Sequence, residues 1–218
     1  MIRSTLVLGV LFFSASVSAQ TVTYGWEDGA TTLGNYGDIE AYNVGLIDPH
    51  TNDYSPIHSG DHSLKLIDQA ESGTPQAFVA LITDLNDGDT VDASFWRYDD
   101  TSGSAPSARI WAHYITDAND IDSYGGSAGG NYDYGDGLGW DEASHTWTFD
   151  SDGGNRVGLV LEVRTYSKPG DTIWIDDLSV TSGDHATIVT PAAAVPVPAA
   201  VWLFASSLLG FFGFSRRR

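Results

Sequence analysis

The chain has 218 residues, 29 of them acidic and 10 basic, and it contains no cysteine. A formal charge of -19 disfavours unaided nucleic-acid binding, which needs a basic surface, and the lack of cysteine excludes disulfide scaffolds, thiol catalysis and cysteine-ligated metals. Aromatic residues make up 12% of the chain, enough apolar surface to exclude a disordered acidic tail. Every acidic residue lies between residues 21 and 190, so an acidic middle is bracketed by two apolar ends.

Residues 1–19 are predicted to be a secretory signal peptide. Arg3 precedes an apolar run over 6–13, and Val17 and Ala19 occupy the −3 and −1 positions of a cleavage site. The run is too short to span a bilayer as a stable helix. The alternative, a buried first helix, lacks a polar face at helical spacing.

Residues 20–183 are predicted to form one all-β domain. Short runs of β-branched and aromatic residues alternate with clusters of Gly, Asp, Asn, Pro and Ser, a pattern typical of many short strands. Such strands with regular turns predict an antiparallel two-sheet sandwich of jelly-roll type. The nine predicted strands are 22–27, 39–46, 62–68, 76–83, 90–98, 108–116, 145–149, 156–166 and 172–180.

Side-chain alternation along three of these strands predicts an exposed sheet face that binds sugar. Neighbouring residues of a strand point to opposite sides, so the residues between the apolar ones should point outward together. Flat rings stack on the C–H faces of sugars, and charged groups hydrogen-bond the hydroxyls. The predicted ligand-binding residues are Trp96, Tyr98, Arg109, Trp111, His113, Glu162, Arg164 and Tyr166.

Residues 117–141 are predicted to form a long loop rich in Gly, Asp and Tyr. A loop of this length in a compact domain is usually functional or mobile. Its aspartates could collect calcium, but their spacing does not match an EF-hand, and a solvated acidic loop is the alternative. The loop also leaves open that Trp96 and Trp111 lie beneath it and are merely covered.

Five stretches of the middle segment together resemble a known group of domains. They are 24–29, 58–66, 89–96, 147–149 and 171–180. In this order they are similar to the carbohydrate-binding-module jelly rolls of families 4, 9 and 22 and to the wider galactose-binding-like sandwiches. The resemblance implies a β-sandwich fold and a polysaccharide ligand.

The same resemblance implies a structural calcium where the first strand meets the last. Its ligands would be Glu27, one of Asp176 and Asp177, and backbone carbonyls near residues 60–63. Acids brought together in this way repel one another unless a cation or partial burial intervenes. A pair of solvent-facing turn carboxylates is the alternative.

Residues 184–194 are predicted to be a linker and 195–218 a sorting signal. Val-Pro-Val-Pro-Ala-Ala over 195–200 is followed by an uncharged stretch over 199–215 and then by three arginines. This order resembles the PEP-CTERM protein-sorting signal in its VPxPA variant. The resemblance implies a membrane-spanning helix, recognition by an exosortase-type protease and tethering to the inner membrane of a Gram-negative bacterium before release to the surface or matrix.

The sequence carries no recognisable catalytic constellation. Glycoside hydrolysis needs two carboxylates flanking one bond, whereas Glu162 stands beside Arg164 and is expected to form an ion pair. Residues 125–129 have the spacing G-x-S-x-G but lack its strand–turn–helix context.

The sequence therefore predicts an exported, non-enzymatic protein that binds extracellular polysaccharide. A structural or adhesive matrix protein is the alternative, followed by a polysaccharide hydrolase or lyase.

Overall fold

A computed structural model describes residues 18–103, 105–135 and 137–192, and these fold into strands joined by turns. The strands are β1 (Ala19–Tyr24), β2 (Gly34–Tyr36), β3 (Ile39–Gly45), β4 (His62–Asp68), β5 (Gln76–Thr83), β6 (Thr90–Asp99), β7 (Ser107–Ile115), β8 (Tyr124–Gly130), β9 (Gly139–Thr148), β10 (Gly158–Tyr166), β11 (Thr172–Gly183) and β12 (Thr187–Val189). Each of the nine predicted strands overlaps one of these, although β1 and β9 begin three and six residues earlier than predicted, and β2, β8 and β12 are the additional strands. In the part of the chain that the structure describes, no helix is long and apolar enough to cross a membrane.

The predicted end segments fall largely outside the described residues. Of the predicted signal peptide only residues 18–19 are described, and β1 begins at Ala19. The predicted sorting signal and the last two residues of the predicted linker also lie outside them.

The strands form two antiparallel sheets. Sheet A has the order β3-β4-β11-β6-β9, with β1 also paired to β11, and sheet B has the order β12-β5-β10-β7-β8, with β2 also paired to β5. The β1–β11 pair joins the first strand to the last long one, with Tyr24 opposite Leu178. The prediction of an all-β two-sheet sandwich is thereby confirmed.

The core lies between the sheets and is built from alternate residues of each strand. Phe95 and Ile175 from sheet A pack with Ile110 and Leu161 from sheet B in one buried cluster. These side chains are removed from water, and apolar burial of this kind supplies the main driving force for folding. On β6, Val91, Ala93 and Phe95 face this core as predicted.

The predicted loop over 117–141 is wrong in its central part, because residues Tyr124–Gly130 form β8 and pair with β7. Glycine is needed where the two backbones approach closely. A Cβ placed on Gly130 would come within 2.2 Å of the Ile110 carbonyl oxygen and 2.7 Å of the Trp111 Cα. Backbone proximity, and not a hydrophobic pattern, therefore defines this edge strand.

We expect Gly130→Ala to destabilise the protein by about 2–3 kcal/mol, since the added methyl group meets backbone atoms that must move. Gly45→Ala is the matched control, because a Cβ there meets only ordinary contacts at 3.7–4.0 Å. Urea unfolding of both variants measures the difference. Equal midpoints for the two variants would contradict the close-approach argument.

The eight predicted ligand-binding residues do not share one face, which corrects the prediction. Trp96 and Tyr98 lie on β6 in sheet A, whereas the other six lie on β7 and β10 in sheet B. Phe95 and Ile110 both point into the core, so Trp96 and Trp111 point away from it on opposite sides of the sandwich. Alternation along a strand separates its two sides but does not reveal to which sheet the strand belongs.

Candidate functional site

The outer face of sheet B, here called the cleft face, brings six of the predicted residues together. Strands β7 and β10 are neighbours, and their register sets Arg109 opposite Arg164 and Trp111 opposite Glu162. Directly opposed residues of an antiparallel pair lie on the same side of the sheet. The six predicted residues on this face are Arg109, Trp111, His113, Glu162, Arg164 and Tyr166.

A buried polar network lies at the centre of the cleft face. The Glu162 carboxylate is fully buried, with His113 Nδ1 2.5 Å from Oε1 and Arg164 Nε donating to Oε2 at 2.6 Å. With its amide turned to donate, Gln76 also reaches this carboxylate at 3.2 Å. The predicted Glu162–Arg164 ion pair is confirmed, and the network satisfies both carboxylate oxygens, as a buried charge requires.

A cleft of about 690 Å³ opens above this network. Its lining consists of Asn35, Tyr36, Gln76, Phe78, His113, Asp122, Tyr124 and Arg164. Tyr36 on β2 and Tyr124 on β8 are 66% and 63% exposed, and the two strands lie toward opposite edges of sheet B. The cleft therefore offers two wet aromatic rings around a floor of fixed polar groups, within the size range of ligand pockets.

Trp111 is covered and not wet, as the alternative interpretation of the sequence allowed. Its side chain is buried, and its indole Nε1 donates to the Oγ of Ser127, a residue of β8, at 2.8 Å. Tyr132 packs edge-on against the ring at 5.1 Å. Trp111 thus supports the cleft face from beneath the segment predicted to cover it.

Arg109 occupies the end of the cleft face next to Trp111. Its guanidinium carbon lies 4.8–5.9 Å from the ring centres of four aromatic side chains. These rings belong to Trp111, Tyr132, Tyr134 and Tyr166. Cation–π attraction of this kind holds the planar guanidinium in place.

The outer face of sheet A carries a separate aromatic group. Trp96 stacks on the His58 ring with centres 4.0 Å apart, and Trp140 meets the same imidazole edge-on at 5.2 Å. Tyr98 continues the row by contacting both Trp140 and Trp174 edge-on. Trp96 and Tyr98 therefore belong to a surface on the far side from the cleft.

The three carboxylates predicted as metal ligands converge at the end of β1. The nearest oxygens of Asp176, Asp177 and Glu27 lie 3.7, 3.8 and 3.9 Å from the position a Cβ would take on Gly25. Glu27 follows β1, whereas the two aspartates lie at a bulge in β11, so the β1–β11 pairing brings them together. Within the described ranges, no three His, Asp or Glu side chains stand arranged as a metal-ligand group.

The segment that precedes β4 holds these carboxylates through hydrogen bonds. Asp176 Oδ2 accepts hydrogen bonds from the backbone N–H groups of His58 at 2.9 Å and Ser59 at 3.2 Å. Glu27 accepts from the Asp61 N–H at 3.0 Å, and Asp177 Oδ2 lies 2.6 Å from His58 Nδ1.

Burial makes Asp176 the most perturbed acid of this group. The side chain is fully buried, and desolvation raises its pKa to about 6 despite the backbone hydrogen bonds that favour the ionised form. The nearby charge of Asp177 adds to the increase.

Sequence reasoning found His113 and Arg164 but missed the aromatic residues that line the cleft. Tyr36 lies on a strand of three residues, and Tyr124 lies in a stretch read as loop. Phe78 opens the run FVALI over 78–82, which is apolar at every position. This run is the one usable signal in the sequence, because an apolar residue on the outer face of a strand indicates that this side is covered or used as well.

No protein-family model and no curated protein matches this sequence. Among solved structures, the fold is similar to the CBM22-1 xylan-binding domain of Paenibacillus barcinonensis Xyn10C, with a TM-score of 0.51 and 14% identity over 83% of this chain and 100% of that one. The CBM22-1-CBM22-2 tandem domain of the same protein gives 0.53 at 15% identity, over 86% of this chain and 50% of the tandem. At these identities the likeness establishes the fold alone, an antiparallel two-sheet β-sandwich.

Proposed function

We propose that the protein binds an extracellular polysaccharide through the cleft face. The observation that carries this proposal is the cleft itself, in which exposed tyrosines flank a rigid polar floor. Tyrosine presents a flat apolar face with little rotamer entropy to lose, which suits stacking on a sugar ring. The fold shared with xylan-binding domains supports the same proposal.

We propose further that binding is not accompanied by catalysis. Glycoside hydrolysis needs two carboxylates on either side of the scissile bond. Among the described residues that line the cleft, Asp122 is the only carboxylate, and the fully buried Glu162 is engaged by His113 and Arg164. Release of products from a bound polysaccharide would instead support a hydrolase or lyase.

Export and sorting complete the proposal and rest on the sequence. The predicted signal peptide would direct the chain out of the cytoplasm, and the PEP-CTERM-like tail would hold it in the membrane until an exosortase-type protease releases it. The domain would then act at the cell surface or in the extracellular matrix.

A structural calcium at Glu27, Asp176 and Asp177 is proposed as well. Three carboxylates within reach of one point, one of them fully buried, fit the oxygen ligands and negative charge that calcium prefers. When bound, the ion would neutralise their repulsion and fasten β1 to β11.

Affinity electrophoresis of the protein in gels containing xylan or other soluble polysaccharides tests the proposed binding. We expect Tyr124→Ala to raise the dissociation constant, obtained from the retardation, by about tenfold. A factor of ten corresponds to about 1.4 kcal/mol, which is what one stacked ring contributes. Tyr54→Ala is the matched control, because Tyr54 is about as exposed as Tyr124 but lies outside the cleft lining. Equal retardation of the two variants would contradict the assignment of the site.

A structural or adhesive matrix protein is the second candidate. The aromatic row on sheet A favours it, because Trp96 and Tyr98 form a further contact surface opposite the cleft. Absence of binding to every polysaccharide, with the fold intact, would leave this candidate.

A further inference from the structure

Arg109 is a buried cation without a hydrogen-bond acceptor in the described part of the chain. Its side chain is only 9% exposed, and its contacts are the four aromatic rings. Guanidinium carries five N–H donors, and burying them unpaired is costly. The Nε atom is closed off from solvent without a partner, whereas the two terminal nitrogens keep some access to it.

Arg97 shows how the same protein treats a buried arginine that has only a structural role. It is 4% exposed and donates to Asp141 Oδ2 at 2.6 Å and to the carbonyl oxygens of Ala108 at 2.5 Å and Asp133 at 2.8 Å. In a chain with 29 acidic residues against 10 basic ones, an anionic partner is easy to supply. No anionic partner reaches Arg109 from the residues that the structure describes, which marks this arginine as a donor available to a ligand.

The surroundings of Arg109 point to the chemistry of that partner. Arg164 stands directly opposite on β10, and its charge is matched by Glu162, so the pair of arginines carries one positive charge in excess. Like charges set opposite one another in a sheet repel, and an anion placed between them removes the repulsion. Tyr132 and Tyr166, which flank the guanidinium, are 70% and 44% exposed and offer ring faces beside it.

We infer that the cleft face selects an acidic polysaccharide, whose carboxylate or sulfate group pairs with the terminal nitrogens of Arg109. This inference rests on the proposed function and names the substrate class of the same face. Guanidinium favours such anions because its planar N–H groups match two oxygens at once. The tyrosine rings beside it would stack on the sugar that carries the charge.

The acidity of the whole domain does not prevent this recognition. At about 0.15 M salt, charges farther apart than about 8 Å are largely screened. The proposed ion pair between the ligand and Arg109 is shorter than about 8 Å and is surrounded by four rings, so salt screens it less than it screens the distant surface charges.

Titration calorimetry of the full-length protein in non-ionic detergent measures its affinity for polygalacturonate and for the methyl ester of that polymer. The ester has the same backbone without the charges. Dextran sulfate against dextran is the parallel pair for sulfate. We expect a preference of about tenfold or more for the charged member of one pair, and the pair concerned distinguishes carboxylate from sulfate. The preference should fall to about unity in Arg109→Gln and remain in part in Arg109→Lys. It should be unchanged in Arg156→Gln, the control, because Arg156 packs on Tyr114 and pairs with Asp150.

Three outcomes would overturn the inference. Equal affinity of the wild-type protein for charged and uncharged members of both pairs would do so without any variant, and would leave the proposed polysaccharide binding standing. A preference that survives in Arg109→Gln would place the anion elsewhere. If the wild-type protein binds none of these polymers and no xylan, the proposed function fails as well.

Discussion

Replacing Glu162 with alanine is expected to lower the free energy of unfolding by about 3–5 kcal/mol, the largest effect of any single change considered. Glu162 is fully buried and accepts from Arg164 while His113 lies against its other oxygen. Its removal leaves Arg164, which stands opposite Arg109, without its carboxylate partner. Urea unfolding followed by tryptophan fluorescence measures the loss.

A second substitution makes the cause of this loss identifiable. Removing Arg164 together with Glu162, as in Glu162→Ala with Arg164→Met, takes away the uncompensated charge, so we expect at least half of the stability to return. Glu142→Ala, an exposed glutamate of β9, serves as the control and should cost under about 0.5 kcal/mol. A double variant no more stable than Glu162→Ala would show that lost packing, and not charge, accounts for the effect.

Calcium is expected to raise the melting temperature by roughly 5–10 °C at about pH 7.5, and chelation should reverse the increase. A ligand at about 100 times its dissociation constant stabilises the fold by about 2.7 kcal/mol, and a domain of this size gains roughly 2–4 °C per kcal/mol. The increase should shrink toward about pH 4.5, because burial raises the pKa of Asp176 to about 6 and its proton then competes with the metal.

The metal-free protein should show the opposite trend with pH. Asp176 keeps its proton in the folded state up to about pH 6 but loses it near pH 4 when unfolded, so this residue makes stability fall as the pH rises through that window. Asp176→Asn should abolish the calcium response, whereas Asp92→Asn in the same sheet should retain it. A melting temperature that does not change when chelator is added at neutral pH would contradict the proposed calcium site.

Strand positions could be predicted from the sequence wherever side chains alternate between turn residues. The bounds of β4 and β5 agree with prediction, because polar turn residues punctuate both ends of each apolar run. Strand β8 could not be predicted, since its glycines carry no pattern and its conformation is dictated by β7 alongside it.

The candidate site could be predicted only in part, and the reason lies in sheet assembly. The pairing of β7 with β10 joined Arg109 to Arg164 and Trp111 to Glu162 as the alternation implied. The same reasoning placed Trp96 with them, because nothing local to β6 shows that it pairs with β9 and β11 in the other sheet. Long-range pairing, which one sequence does not encode locally, decided which residues became neighbours.

The pairing of β1 with β11 has a consequence for how the molecule would stand when fastened by its C-terminal segment. Ala19 lies opposite Gly183, and the Asp184 N–H donates to the Ser18 carbonyl oxygen at 3.1 Å, so β1 begins where β11 ends. The chain then continues into β12 at the edge of sheet B, so an attachment beyond β12 would leave both broad sides of the sandwich clear. An internal stretch of a long polysaccharide could then bind to a broad side, without the end of the polymer having to enter a pocket.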